Sequence, residues 1–156
     1  MNILPRPIHH SLCVYVLLAA MISLSSTIAV AFLIDVSGVN DCGAIQERRS
    51  WLHSVMSGMI LSPIVESALL TAVVRWVAAL SEQNRYASIL VPALSASVIH
   101  GAFCLWWGLA VIPAFIVYAR AVVDYREVSW TKACLATSLV HVLHNTVAIL
   151  LGWVLE

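Results

Sequence analysis

Long apolar runs separated by short polar breaks set the layout of this chain. Residues 11–34 are almost continuously apolar, and apolar runs return over 51–74, 87–103, 108–123 and 130–154. At 1.5 Å of rise per residue, runs of this size match the ~30 Å hydrocarbon core of a bilayer. The pattern predicts an all-α polytopic membrane bundle of five transmembrane helices. Residues 35–50 form the longest polar stretch, with Asp35, Gly38, Asn40, Asp41, Gly43, Glu47, Arg48 and Arg49 marking a loop. Ser81 to Tyr86 and Asp124 to Ser129 form two shorter charged loops. The remaining break is only Cys104-Leu105-Trp106-Trp107. Residues 87–123 are too many for one crossing of ordinary thickness, so a tight turn with interfacial tryptophans is expected there.

Charge gives these spans a direction. With the N-terminus cytoplasmic, Arg6, Arg75, Arg85, Arg120, Arg126 and Lys132 fall on the inner side, and only Arg48 and Arg49 on the outer side. That excess obeys the positive-inside rule. Arg75 and Arg120 read as snorkelling helix ends, and Trp51 and His53 as interfacial residues. Ala29-Val30-Ala31 resembles a signal-peptide cleavage site, but the apolar run before it is longer than a normal h-region, which favours a retained helix. The reading divides the chain into an N-terminal helix and polar loop over 1–50 and a core over 51–156.

Composition agrees with the membrane assignment. The 156 residues are 62% hydrophobic and 10% charged, against about half and a quarter in soluble domains. Mean hydropathy is +0.95. The length suits one bundle without a second soluble domain. Net charge is zero with no basic run, so nucleic acid is excluded as a partner. The four cysteines, Cys13, Cys42, Cys104 and Cys134, form no CxxC pair. They are expected to be packing residues rather than a disulfide framework or a zinc ribbon. The His9–His10 pair reads as solvated.

One polar group stands out against this background. Glu66 is the only acidic residue inside an apolar run. An ionisable group there costs about 2.5–3.5 kcal/mol on insertion scales, so it needs a partner and points to function. Pro63, one turn earlier, removes a backbone donor and can open the helix. The candidate partners are His100, His141 and Asn145, with His144 as a supporting or packing residue near the face of His141. Counted from the cytoplasmic ends of their spans, Glu66 lies about 14 Å deep, His141 about 16 Å, His100 about 20 Å and Asn145 about 22 Å. His141 and Asn145, at i and i+4, share a helix face. A carboxylate withdrawn from bulk water can act as general base on a neighbouring water. Imidazole can share or orient that proton, and an amide can donate to a developing oxyanion. The set suits hydrolysis.

These residues resemble the motifs of the CPBP intramembrane proteases, also called CAAX-protease-like or ABI proteins. The family pattern is a Glu-Glu-x-x-x-Arg motif, often after a Pro, then Phe-x-x-x-His, then His-x-x-x-Asn or Asp. Pro63-Ile64-Val65-Glu66-Ser67 is similar to the first, Ala96-Ser97-Val98-Ile99-His100 to the second, and His141-Val142-Leu143-His144-Asn145 to the third. The resemblance covers about residues 55–155 and leaves the first helix outside. Ser67, Thr71 and Ala96 depart from it, standing where the second Glu, the Arg and the Phe are usual. The resemblance implies an intramembrane endopeptidase in which Glu66 and His100 activate water while His141 and Asn145 stabilise the tetrahedral intermediate. Zinc is possible on a Glu-His-His set. Without a His-Glu-x-x-His motif, a metal-free mechanism with no cofactor is preferred.

The implied partners are the lipid bilayer and a membrane-anchored protein or peptide as substrate. The localisation is multi-pass, and so short a chain is associated with a prokaryotic inner membrane. Two other classes remain open. One is a catalytically inactive membrane binding or immunity-type protein, which the three departures motivate. The other is a proton- or metal-handling protein built on Glu66 and the two histidines.

Overall fold

The computed structural model describes residues 11–37 and 54–155. Arg6, the His9–His10 pair, Cys42, Arg48, Arg49, Trp51 and His53 lie outside the described residues. Those that are described form helices and short turns, with no strand among them. The helices are α1 (Leu12–Val36), α2 (Ser62–Leu80), α3 (Arg85–Gly101), α4 (Leu105–Tyr125) and α5 (Trp130–Leu155), and a π-helical segment, Ser54–Leu61, leads directly into α2. The chain is thus an all-α membrane bundle. Four stretches are long and apolar enough to cross a bilayer: α1, Met56–Leu80, α4 and Trp130–Gly152. The remaining helix, α3, has 17 residues, which rise about 25 Å.

Local sequence explains most of the helix ends. Ser11 caps α1 by accepting from the Val14 N–H, and Asn84 caps α3 by accepting from the N–H groups of Tyr86 and Ala87. Such caps satisfy donors that have no partner inside the helix. The π-helical stretch ends where Pro63 enters the first turn of α2. Proline has no N–H and its ring crowds the preceding turn, so the wide helix and the proline mark one irregular joint.

The centre of the bundle is α4, which packs on all four other helices. Half of its apolar window is buried, against a third or less in the other three spans. Small residues allow the close approach, among them Ala93 on α3, Ala114, Ala119 and Ala121 on α4, and Ala133 and Ala136 on α5. The tightest contact is at Gly108. A Cβ there would lie 2.5 Å from the Cα of Gly101 and 2.7 Å from the carbonyl oxygen of Ser97. The backbones of α3 and α4 therefore touch, and only glycine fits between them.

Four expectations change. The tight turn between the third and fourth spans exists, but it lies over 102–104, and Trp106 and Trp107 belong to the first turn of α4. The predicted loop at 124–129 begins late. Asp124 is buried in the last turn of α4, where it accepts from Arg85 on α3, from Arg120 Nε at 2.9 Å and from the Tyr15 hydroxyl on α1 at 3.0 Å. Arg120 is therefore an ion-pair partner and not simply a snorkelling helix end, because a buried carboxylate needs compensation. Arg75 is exposed and sits 5.6 Å over the Trp130 ring. Finally, Cys104 is disulfide-bonded. The packing reading fails for Cys104 because it sits at the α3–α4 turn, where it also caps α4 through its sulfur. Cys13 and Cys134 are free thiols.

Candidate active site

Three helices bring Glu66, His100 and His141 to one point. Oε2 of Glu66 lies 3.8 Å from Nε2 of His100 and 3.8 Å from Nε2 of His141. Both distances are too long for a direct hydrogen bond and suit groups that share a small third molecule. The other carboxylate oxygen accepts from the Ser62 hydroxyl, one turn earlier on α2. Ser62 thus holds one oxygen and leaves the other facing the two imidazoles. The Glu66 side chain keeps 29% of its surface exposed, whereas that of His141 keeps 6%. The carboxylate is reachable from outside the protein and His141 is a buried wall behind it.

Each imidazole is held in position. Nδ1 of His100 lies 2.8 Å from the Ala96 carbonyl oxygen. A carbonyl only accepts, so Nδ1 carries the proton, and in the neutral ring Nε2 presents a bare lone pair toward Glu66. Trp107 packs edge-on to this ring at 4.8 Å and Phe115 tilts against it at 5.0 Å. His141 stacks on Tyr118 at 4.3 Å between centroids, with 29° between the ring planes. Its Nδ1 lies 3.4 Å from the Ser67 hydroxyl oxygen. A hydroxyl can donate or accept, so Ser67 can support either tautomer of His141.

Asn145 stands on the same helix as His141, but its amide is engaged elsewhere. Nδ2 donates to the Gly58 carbonyl at 3.1 Å. Gly58 lies in the π-helical segment, where it faces α5 closely: a Cβ on it would meet Cδ1 of Ile149 at 3.0 Å. The structure therefore joins Glu66, His100 and His141 directly and ties Asn145 to the helix joint beside them. His144 is buried and its Nδ1 is 2.7 Å from the Ser23 hydroxyl on α1. Among the described residues, no group of three His, Cys, Asp or Glu side chains has the arrangement of a metal site.

Four residues of this site were given no part in it by sequence reasoning. Ser62 and Ser67 flank Glu66 on its own helix, and the i,i+4 spacing of Ser62 was a usable signal. Tyr118 is an aromatic with a polar tip deep in an apolar span, which deserved the scrutiny given to the histidines. Trp107 could not be placed without knowing where the α3–α4 turn falls.

A cavity of about 170 Å³ opens beside Glu66 between α2 and α3. Leu70, Pro92 and Phe115 form its buried floor, and Ala96 and His100 line the α3 side. No family model, curated protein or solved structure matches the chain, so its site is read from its own geometry.

Proposed function

We propose that this protein is an intramembrane endopeptidase of the CPBP kind, acting on a peptide bond in a membrane-anchored protein or peptide. The observation that supports this reading is the meeting of one carboxylate oxygen with two imidazole nitrogens from separate helices, each at 3.8 Å. In this mechanism a water donates one hydrogen to Glu66 Oε2 and the other to the bare Nε2 of His100. Its lone pair is then free to attack the scissile carbonyl carbon as Glu66 takes the proton. His141, with Ser67 donating to Nδ1, carries its proton on Nε2 and donates to the oxyanion. The second N–H of Asn145 is available to the same end. Collapse of the intermediate passes the proton from Glu66 to the leaving amine, and the products are a carboxylic acid and an amine, the acid's proton then passing to the amine or to solvent. No step passes through a metal or cofactor. The site lies within the bilayer of a cell membrane, with the N-terminus on the cytoplasmic side.

The test is cleavage of membrane-embedded peptides by the purified protein in bilayer vesicles, compared with Glu66→Gln. The variant keeps the size of the side chain and removes the base, so cleavage should fall by about 10²-fold or more. Equal cleavage by both proteins would sink the mechanism. A chelator should leave the parent activity unchanged, and loss of activity restored by zinc would move the reading to a metal enzyme.

A second reading is a membrane binding or immunity-type protein without turnover. It is favoured by the hydrogen bond from Asn145 to Gly58, which commits part of the oxyanion apparatus to the backbone. That reading predicts that Glu66→Ala retains the cellular phenotype of the parent.

A further inference from the structure

The cavity between α2 and α3 is more than a space beside the catalytic couple. It runs along the helices from Glu66 and His100 at one end to Val73 and Pro92 at the other, which is about 10 Å along the axis. Its mouth opens sideways. Leu69 and Ile99 flank it and each is 62% exposed, and both lie within apolar helix, so the opening faces hydrocarbon rather than either aqueous phase. The floor is buried and the lining almost wholly apolar, with Glu66 and His100 bounding it at one end. Volume limits what can enter. An apolar cavity of about 150 Å³ accommodates a benzene molecule, and this one has about 170 Å³. That is room for one large side chain, reached from the open side.

We propose that this cavity is a specificity pocket for a single large apolar side chain, of the size of Leu, Met or Phe, on the membrane-embedded substrate beside the bond held at Glu66. Ala96 is the specificity-determining residue. It lines the pocket one helical turn from His100 and is half-buried, so a larger side chain there would enter the space that its methyl leaves open. The inference rests on the endopeptidase reading. A lipid acyl chain shares the apolar chemistry, and the experiment separates the two occupants.

The probe is a single-span Leu/Ala host peptide in vesicles, with a guest position stepped through the region of the cleaved bond. The guest is Ala, Val, Leu, Met or Phe, and products are read by mass spectrometry. At one position relative to the cut, Leu, Met and Phe should be cleaved about tenfold or more faster than Ala. Ala96→Phe should fill the pocket and bring that ratio close to one, with Ala96→Val intermediate. The ratio is internal to each protein, so it is insensitive to how much of a variant folds. Indifference of the parent to the guest, or an unchanged ratio in Ala96→Phe, overturns the proposal.

A second arm needs no turnover. The host peptide carries a diazirine analogue of leucine at the guest position and is photolysed with Glu66→Gln protein. Adducts on Leu70, Val73 or Phe115 that disappear in Ala96→Phe support the pocket even if the parent cleaves nothing, in which case the endopeptidase reading falls alone. Peptide adducts confined to other faces, with the cavity labelled only by a diazirine-bearing phospholipid, assign it to lipid and overturn the proposal.

Discussion

The side-chain amide of Asn145 donates to the carbonyl of Gly58 at 3.1 Å, and Gly58 is the residue five positions before Pro63. In a π-helical register, the carbonyl of residue 58 takes its hydrogen bond from the N–H of residue 63. Proline has no such group. Asn145 therefore supplies, from α5, the donor that Pro63 withholds. A carbonyl inside a membrane has no water to turn to, so leaving it unpaired is costly.

This relationship predicts energetic coupling between two residues on different helices. Asn145→Ala should destabilise the protein by about 1–3 kcal/mol, the usual cost of a buried polar group left without its partner. In a Pro63→Ala background the restored N–H should absorb much of that loss. Unfolding measured for the four proteins of the double-mutant cycle gives the coupling directly. Additive losses would mean that Asn145 and Pro63 act independently.

Ser67 is expected to act through His141 and not on substrate. Ser67→Ala removes the hydroxyl 3.4 Å from His141 Nδ1 and so loosens control of which nitrogen carries the proton. The turnover rate should fall several-fold with little change in KM, because the donor to the oxyanion is then present only part of the time. The ¹⁵N shifts of the imidazole report the tautomer itself. A ring that keeps the same tautomer in Ser67→Ala would remove Ser67 from the mechanism.

The two histidines should fail differently. His100 is reached through an accessible couple, while His141 is a buried wall stacked on Tyr118. Under the proposed mechanism, His100→Ala should lose activity about as fully as Glu66→Gln, and combining them should add little, since that mechanism assigns both to one water. His141→Ala should lose activity and stability together, because it also leaves a void against Tyr118. Full additivity of Glu66→Gln and His100→Ala would show that they do not act on the same step.

At the other end of the bundle, Asp124 should dominate stability. It is buried and joins α1, α3 and α4 through Tyr15, Arg85 and Arg120. Asp124→Ala removes the acceptor that these groups share and should cost about 3–5 kcal/mol, as for a broken buried ion pair. Arg85 is 46% exposed at its side chain, so Arg85→Ala should cost about 1 kcal/mol or less. Similar losses for both variants in chemical unfolding would contradict a buried hub at Asp124.

Much of the protein was legible in the chain. Apolar run length alone determined that it is an all-α membrane bundle, because a bilayer demands internally satisfied helices of a set length. The rarity of charge in those runs singled out Glu66, and depth along the spans aligned it with His100 and His141. What tertiary structure decided was contact. Depth says nothing about rotation around a helix axis, so only the packed bundle could aim two imidazoles at one carboxylate oxygen and turn the amide of Asn145 toward Gly58. The hub at Asp124 was hidden for a related reason: a charge next to a turn looks solvated until α1 and α3 close over it. The disulfide at Cys104 was hidden because pairing depends on proximity in space, which spacing along a chain does not encode. The cavity at Ala96 exists only in three dimensions, as space that a small side chain leaves between two helices.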